Sequence, residues 1–451
     1  MFINNKILIL GFARSGYDAA KLLAQRGNIV YLNDAKPEDK MDQGQVTELS
    51  LLGVNLILGS HPDDLLDSSF DYLIKNPGVP IDHKYVLQAR NLGIEVINEV
   101  EMAYRLLPKD VSIIGITGTN GKTTTTTLVY EIMYRAYGKK VHLAGNIGYP
   151  LSGILNDIKS GDIIVMECSC QQGENFVDFH PHVGVVTNFS EAHIDFMKTY
   201  KHYKNAKSKM FYNQSSDDIA IINYDNSDVN EEMKNISSIK KYFSSKNNID
   251  GCCLVDRDIY YYGDKVMCID DIRIKGIHNV ENVMASIMAV KEYNVSNDII
   301  KEVVSNFRGV EHRLEYVDTI NGVEYYNDTE ATNIKCSQIA LSSFKKPIIV
   351  FLGGLDRGQD FNELTPYMDN VKAIIAIGQC RERVKAYAEG ISKPVYVYEY
   401  LADGFEKACS IAENGDVVLL SPASASWDQY KECEVRGAEF KEKVRDLKKS
   451  R

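Results

Sequence analysis

The sequence predicts an α/β protein of three domains: a Rossmann-like N-terminal domain (1–100), a central P-loop ATPase-like domain with a mainly parallel sheet (101–308), and a C-terminal Rossmann-like α/β domain (309–451). Three observations carry this reading. Short apolar runs alternate with helical patterns along the whole chain, as parallel strands with covering helices require. A length of 451 residues suits about three domains. The stretch Gly115-Ile116-Thr117-Gly118-Thr119-Asn120-Gly121-Lys122-Thr123-Thr124 sets a glycine loop between an apolar run (111–114) and a helical pattern through Leu128, Val129, Ile132 and Met133.

The elements follow in order. Residues 7–10 run into Gly11-Phe12-Ala13-Arg14-Ser15-Gly16, and a helical pattern through Ala19, Ala20, Leu22 and Leu23 stops near Gly27. A second apolar run, 29–32, ends in Asn33-Asp34, and further strand-like runs cover 54–58, 72–74 and 94–97. In a doubly wound fold the first loop can hold a diphosphate at a helix N-terminus, and Asp34 can meet a ribose or a base. Gly11-x4-Gly16 is not the full dinucleotide fingerprint and is a weak signal alone. Asn76-Pro77-Gly78 is a turn facing the same edge. In the central domain, runs at 163–166, 183–187 and 220–223 end in polar residues, at the carboxyl ends where open α/β sheets bind ligands. The Lys/Asn/Ser-rich stretch 233–248 is expected to be an exposed connection. The third domain repeats the alternation at 348–352, 373–377, 395–398 and 417–420, and closes with a charged helix from Glu434, expected to present a solvated face.

Composition excludes several classes. A net charge of −11 argues against nucleic-acid or membrane-surface binding. No apolar run approaches the ~18–20 residues of a membrane span, and the N-terminus reads as a strand, not a signal peptide. Nine cysteines form no framework, and their odd number suits free thiols in a reducing cytoplasm. Cys168, Cys170, Cys252 and Cys253 lack the partner spacing of a zinc site.

The glycine loop predicts ATP use. Glycines let backbone N–H groups converge on phosphate oxygens, and the helix N-terminus adds its partial positive charge. Lys122 would reach the β/γ-phosphates and the Thr123 hydroxyl would ligate Mg²⁺. An ordinary Walker A has glycine where this chain has Ile116; here Gly118 serves. Thr123 to Thr127 are five β-branched residues, so the helix they begin depends on tertiary contacts and ligand. This short loop is similar to that of the Mur ligases and the folylpolyglutamate synthetases, both of which form amide bonds with ATP.

From Gly11 to Phe440 the chain resembles the D-glutamate-adding Mur ligases. The resemblance implies a cytoplasmic enzyme, expected as a monomer, that joins D-glutamate to UDP-N-acetylmuramoyl-L-alanine in peptidoglycan precursor synthesis. ATP phosphorylates the substrate carboxylate, and the amine of D-glutamate attacks the acyl phosphate. Such chemistry needs divalent metal and cationic side chains around two anions. The resemblance implies two Mg²⁺ ions: Thr123 and Glu167 at the first, and His193, within Thr187-Asn188-Phe189-Ser190-Glu191-Ala192-His193, at the second. Lys207 falls where the family carries a lysine carbamylated by CO2. The phosphate loop comprises Gly118, Thr119, Asn120, Gly121, Lys122, Thr123 and Thr124. Within Gly276-Ile277-His278-Asn279-Val280-Glu281-Asn282, Asn282 matches the adenine contact. Arg313 matches a contact to the nucleotide phosphates, and Asp328, in Asn327-Asp328-Thr329-Glu330-Ala331-Thr332-Asn333, the ribose contact. For the substrates, Arg14, Ser15 and Asp34 match the UDP site, Asn146 the muramoyl-peptide end, and Ser169 a substrate contact. Thr332, Arg357 in Gly353-Gly354-Leu355-Asp356-Arg357-Gly358, and Ser426 in Ser421-Pro422-Ala423-Ser424-Ala425-Ser426-Trp427 match the D-glutamate carboxylate contacts. The third domain is expected to close over ATP.

The chain departs from the family at Cys168-Ser169-Cys170-Gln171, at Ala192, at Glu330 in place of a lysine, and at Cys433 in place of a phenylalanine. An anion near ATP phosphates raises KM unless it points away or meets Arg313. Two alternatives follow: a ligase with another amino-acid acceptor, and a catalytically silent protein that binds ATP and UDP-substrate. Folylpolyglutamate synthetases lack the first UDP-type domain and carry a histidine in the motif that is Asn327–Asn333 here.

Overall fold

The computed structural model describes residues 2–449 apart from His193 and Lys275. Three sheets follow one another along the chain. The first contains β1 (Lys6–Leu10), β2 (Ile29–Asp34), β3 (Asn55–Leu58), β4 (Tyr72–Lys75) and β5 (Glu95–Ile97), all parallel in the order β3-β2-β1-β4-β5. The second contains β6 (Ser112–Thr117), β7 (Val141–Gly145), β8 (Ile163–Glu167), β9 (Val183–Val186), β10 (Ile219–Asn223), β11 (Ile239–Ser244), β12 (Cys252–Val255), β13 (Asp258–Tyr261) and β14 (Asp264–Cys268). Their order is β14-β13-β12-β11-β10-β9-β6-β8-β7, parallel except for the antiparallel pairings of β13. The third contains β15 (Glu315–Ile320), β16 (Val323–Asn327), β17 (Ile348–Gly353), β18 (Val371–Ile377), β19 (Val395–Val397) and β20 (Val417–Leu420), in the order β15-β16-β20-β17-β18-β19 with only β15 antiparallel. The first two sheets form one compact unit, through Arg273 and Ile277–Asn306; the third forms a second unit, from Phe307 onward with Ile274–Gly276.

Parallel strands covered on both faces read as unbroken apolar runs. Ile7 to Leu10 and Ile348 to Leu352 are buried throughout. The helix Arg14–Gln25 buries Ala19, Ala20, Leu22 and Leu23 on one side, and Gly27, at φ +80°, reverses the chain after it. The threonine run becomes the start of the helix Lys122–Tyr137, which lies against the helices Ile277–Lys291 and Asn297–Asn306. Thr125 and Thr126 are fully buried there, so packing overrides their low helix propensity.

Two expectations are corrected. The stretch 233–248 holds β11, with Phe243 and Ser244 buried; its lysines masked the strand, and Lys241 in fact reaches Glu292 at 2.7 Å. The last helix, Cys433–Lys449, is not solvated all round: Arg436, Phe440 and Val444 are buried at a four-residue spacing that the surrounding charges hide. Strands β7 and β11 to β16 also lie outside the apolar runs read from sequence.

Candidate active site

Strand β6 ends at Thr117, and the loop that follows is shaped by close approach. Gly118 has φ +145°, and a Cβ there would come within 2.0 Å of Thr187 Oγ1. Gly121 has φ +81°, and its Cβ would meet Asn282 Oδ1 at 2.1 Å. The turn is braced from the end of β9. Thr119 N–H donates to the Asn188 carbonyl (2.7 Å), Asn120 N–H to Asn188 Oδ1 (3.0 Å), and Thr187 Oγ1 to the Asn120 carbonyl (2.7 Å). Lys122 Nζ folds back onto the Thr119 carbonyl at 2.9 Å. Thr123 and Thr124 are half-buried in the first helical turn. Asn282 is buried, donates to Asn279 Oδ1 (3.1 Å) and accepts from Thr125 Oγ1 (3.4 Å). Asn282, on the helix Ile277–Lys291, is thereby tied to the loop's own helix.

Glu167, the last residue of β8, is 1% exposed. Its Oε1 accepts from Asn146 Nδ2 at 2.9 Å, and Asn146 N–H donates to the Glu167 carbonyl at 2.9 Å. Its Oε2 is buried without a hydrogen-bond partner. An orphaned buried carboxylate oxygen is costly unless something cationic takes it. With the Thr123 hydroxyl it offers the hard oxygen donors that Mg²⁺ prefers, so these residues fit the ion.

Lys207 lies on the helix Tyr200–Tyr212, is 3% exposed, and donates to the Gly118 carbonyl at 2.6 Å. Burial, with the nearby Lys122 charge second, pushes its ammonium down to about 7. Loss of hydration disfavours the cation, so a large share of this amine is neutral near physiological pH. Ser169 caps the short helix Cys170–Gly173 through a capping box with Gln172. His193 lies outside the described residues.

In the first sheet, Asp34 Oδ2 accepts from Phe12 N–H and Oδ1 from Lys36 N–H, both at 2.8 Å. Ser15 Oγ accepts from Asn76 Nδ2 at 3.0 Å, which ties the Asn76-Pro77-Gly78 turn to the first loop. Arg14 Nη2 donates to the carbonyl of Gly148, two residues after Asn146 and within the same unit, at 2.8 Å.

The second unit gathers the remaining candidates. Asp328 is buried, accepting from Leu314 N–H (3.0 Å) and Ser421 Oγ (2.7 Å), and burial pushes its carboxyl up to about 7. Glu330 lies 3.6 Å from Arg313 Nη2, and Cys433 Sγ donates to its other oxygen at 3.6 Å. Two departures from the family pattern thus touch each other, and the anion meets Arg313. Thr332 is half-buried, and its N–H donates to the Glu330 carbonyl at 2.8 Å. The exposed Arg357 guanidinium lies 4.7 Å from the Trp427 ring centroid, and Trp427 is itself 65% exposed, so it is not a packing residue. Ser426 is 1% exposed with its hydroxyl unpartnered. Sequence reasoning missed Asn76, Asn188 and Arg436 as organising side chains. The Arg436-Gly437 pair inside a charged helix is the one local signal for the last.

Comparison with known proteins agrees with this division. The family model described as "Mur ligase middle domain" matches residues 116–290, and that described as "Mur ligase, glutamate ligase domain" matches 312–424. A UDP-N-acetylmuramoylalanine–D-glutamate ligase of Enterococcus hirae is 43% identical over 449 residues, covering 98% of this chain and 96% of that protein. One from Streptococcus agalactiae serotype III (strain NEM316) is 42% identical over 442 residues, covering 97% and 96%. Among solved structures, the UDP-N-acetylmuramate-alanine ligase of Thermotoga maritima shares the fold at a TM-score of 0.60 and 19% identity, covering 98% of this chain and 100% of that one.

Proposed function

The chain belongs to the UDP-N-acetylmuramoylalanine–D-glutamate ligase family and adds D-glutamate in an ATP-dependent step of peptidoglycan precursor synthesis, and we propose that it does so through an acyl phosphate formed beside the Gly118–Thr124 loop. The observation that carries this assignment is the meeting of Lys122 and Lys207 on the carbonyls of one glycine turn, with the unpartnered Glu167 oxygen in the same unit. The loop N–H groups and Lys122 hold the β/γ-phosphates. A terminal carboxylate oxygen of UDP-N-acetylmuramoyl-L-alanine attacks the γ-phosphorus, and the bond to ADP breaks. The amine of D-glutamate then attacks the acyl carbon, the phosphate leaves, and the amine's proton goes to the departing phosphate. The first attack brings two anions together and the second develops an oxyanion at the acyl carbon, so the loop N–H groups and Lys122 lower both barriers.

Glu167 and Thr123 are the residues we assign to a first Mg²⁺, and His193 and Lys207 to a second. Bound there, Mg²⁺ supplies charge neutralisation between carboxylate and phosphate. The depressed Lys207 amine is suited to take up CO2, because only a neutral amine attacks it; the carbamate turns a cation into an anion. Asn282 takes the adenine, Asp328 the ribose and Arg313 the phosphates. Arg14, Ser15 and Asp34 take the UDP end, Asn146 the muramoyl-peptide end, and Ser169 contacts the substrate. Thr332, Arg357 and Ser426 take the acceptor carboxylates, for which the arginine fork and an unpartnered buried hydroxyl are suited. We further infer a cytoplasmic monomer, as the family resemblance implies; no helix among the described residues is long and apolar enough to cross a membrane.

Phosphate release from ATP with UDP-N-acetylmuramoyl-L-alanine, Mg²⁺ and bicarbonate tests the reading. It is expected to require D-glutamate and to stay at background with L-glutamate, D-aspartate or no acceptor. Equal turnover with any of those three would overturn the acceptor assignment.

A further inference from the structure

Arg436, in the first turn of the helix Cys433–Lys449, heads the fully buried side chains by size, at 1% exposure. Its guanidinium makes no carboxylate pair among the described residues. Instead Nε donates to Thr329 Oγ1 (3.0 Å), and Nη2 to the Thr329 carbonyl (3.0 Å) and the Ser424 carbonyl (3.1 Å). Its third nitrogen lies against Gly354, where a Cβ would come within 3.1 Å of Nη1. Thr329, Ser424 and Gly354 stand on the three loops that carry Thr332, Ser426 and Arg357. Those loops are also joined to each other: Gly353 N–H donates to the Pro422 carbonyl and Leu355 N–H to the Ala425 carbonyl, both at 2.8 Å.

The helix turn is bolted in place around this guanidinium. Thr329 Oγ1 donates to the Cys433 carbonyl at 2.9 Å. Gly437, next in the chain, leaves no room for a side chain: a Cβ would sit 2.4 Å from His312 Nδ1 and 2.6 Å from Thr329 Cγ2. The small residue lets the helix approach, and the large one fills the junction of the loops. Only an arginine offers several donors in a rigid planar fork, matched to acceptors on different segments.

Burying this cation without a direct ion pair is costly; the carbonyl dipoles and the field of the Asp428 carboxylate offset part of that cost. Burial lowers its pKa to about 10, so it remains charged at neutral pH. In a low-dielectric interior that charge reaches further than it would in water. A ligand with two carboxylates is the partner such a field favours.

We infer that Arg436 is the positioning residue of the acceptor site: it binds the loops of Thr332, Arg357 and Ser426 into one frame and lends that frame a buried positive charge that favours a dicarboxylic amino acid. The inference rests on the acceptor assignment of those three residues made above.

The test compares Arg436→Met and Arg436→Lys in the full chain by the KM for D-glutamate, for ATP and for UDP-N-acetylmuramoyl-L-alanine, with the melting temperature alongside. Arg436→Met removes charge and fork and is expected to raise the D-glutamate KM about tenfold or more; Arg436→Lys keeps the charge and is expected to raise it by about threefold. The other two KM values should stay within about twofold. Equal rises in all three, or a fall in kcat that follows the melting temperature with KM unchanged, would overturn the inference. If the methionine variant does not fold, the lysine variant makes the same comparison, and Thr329→Val, which removes one acceptor and leaves Arg436 in place, makes it again. Arg357→Ala separates the two readings. An unchanged D-glutamate KM there defeats the acceptor assignment itself; a raised one beside unselective Arg436 variants defeats only the inference.

Discussion

Lys207 shows how far burial sets the chemistry of a single side chain. An exposed lysine is protonated at pH 7 and inert to CO2; at about 7 this amine is divided between its two forms. Raising pH from 6.5 to 8 at constant dissolved CO2 should therefore speed the bicarbonate-dependent recovery of activity by about fourfold, following the neutral fraction. The check is the rate of recovery after a CO2-free incubation; a rate independent of pH would remove the carbamate from the account. Lys207→Ala should lose nearly all activity and regain part of it with added short carboxylic acids. Glu99 carries the opposite sign. It is fully buried, accepts the Ser152 N–H at 2.5 Å, and burial lifts its carboxyl from 4.5 to about 7. The folded state holds this proton where the unfolded chain has lost it. The group's contribution to stability is therefore complete below pH 4.5 and is lost as pH rises through about 7. Glu99→Gln should gain melting temperature over the parent protein at pH 8 and show little gain at pH 4.5.

At the scale of elements, the phosphate loop is held by glycines that have no room for anything else. Gly121 stands at positive φ with Asn282 against it, so Gly121→Ala must both strain the backbone and push the Asn282 amide away. A cost of roughly 1–3 kcal/mol in chemical denaturation is expected, together with a loss of ADP affinity in calorimetry that exceeds it. The threonine helix shows why propensity alone misleads. Five β-branched residues in a row form a helix because two other helices cover them, and Thr125 also meets Asn282. The last helix misleads in the other sense: its many charges read as a solvated surface, while Arg436, Phe440 and Val444 form an inward stripe. Local motifs such as Gly118–Thr124 and Gly276–Asn282 were legible because their residues are contiguous. Strand β11 was not, because Lys240 and Lys241 interrupt its apolar signal.

At the scale of the whole molecule, the first two sheets behave as one unit, and buried charge is part of what joins them. Glu101, 0% exposed, accepts the N–H groups of Val177, Asp178 and Phe179, each at 3.0 Å, and pairs with Arg105 at 2.9 Å. Removing it leaves three buried N–H donors without their acceptor, while Arg105 keeps Glu95 and Asp178. Glu101→Ala should cost roughly 3–5 kcal/mol in urea unfolding, a surface-like loss under 1 kcal/mol being the contrary result. The separation of tasks along the chain gives a further expectation. Lys122→Ala should abolish ATP hydrolysis while leaving the dissociation constant for UDP-N-acetylmuramoyl-L-alanine nearly unchanged. Loss of both in a folded protein would contradict the assignment of the UDP end to the first sheet.

What the amino-acid sequence determined by itself is the fold class and the kind of reaction, because both are written in short contiguous patterns: apolar runs, a glycine loop before Lys-Thr, and motifs matched to a family. What only the tertiary structure decided is the state and pairing of the side chains. The neutral tendency of Lys207, the orphaned oxygen of Glu167, the contact of Glu330 with Arg313 and Cys433, and the burial of Arg436 all arise from neighbours far away in sequence. Hydration and local dielectric are set by those neighbours, and no pattern within a few residues of any of these groups records them.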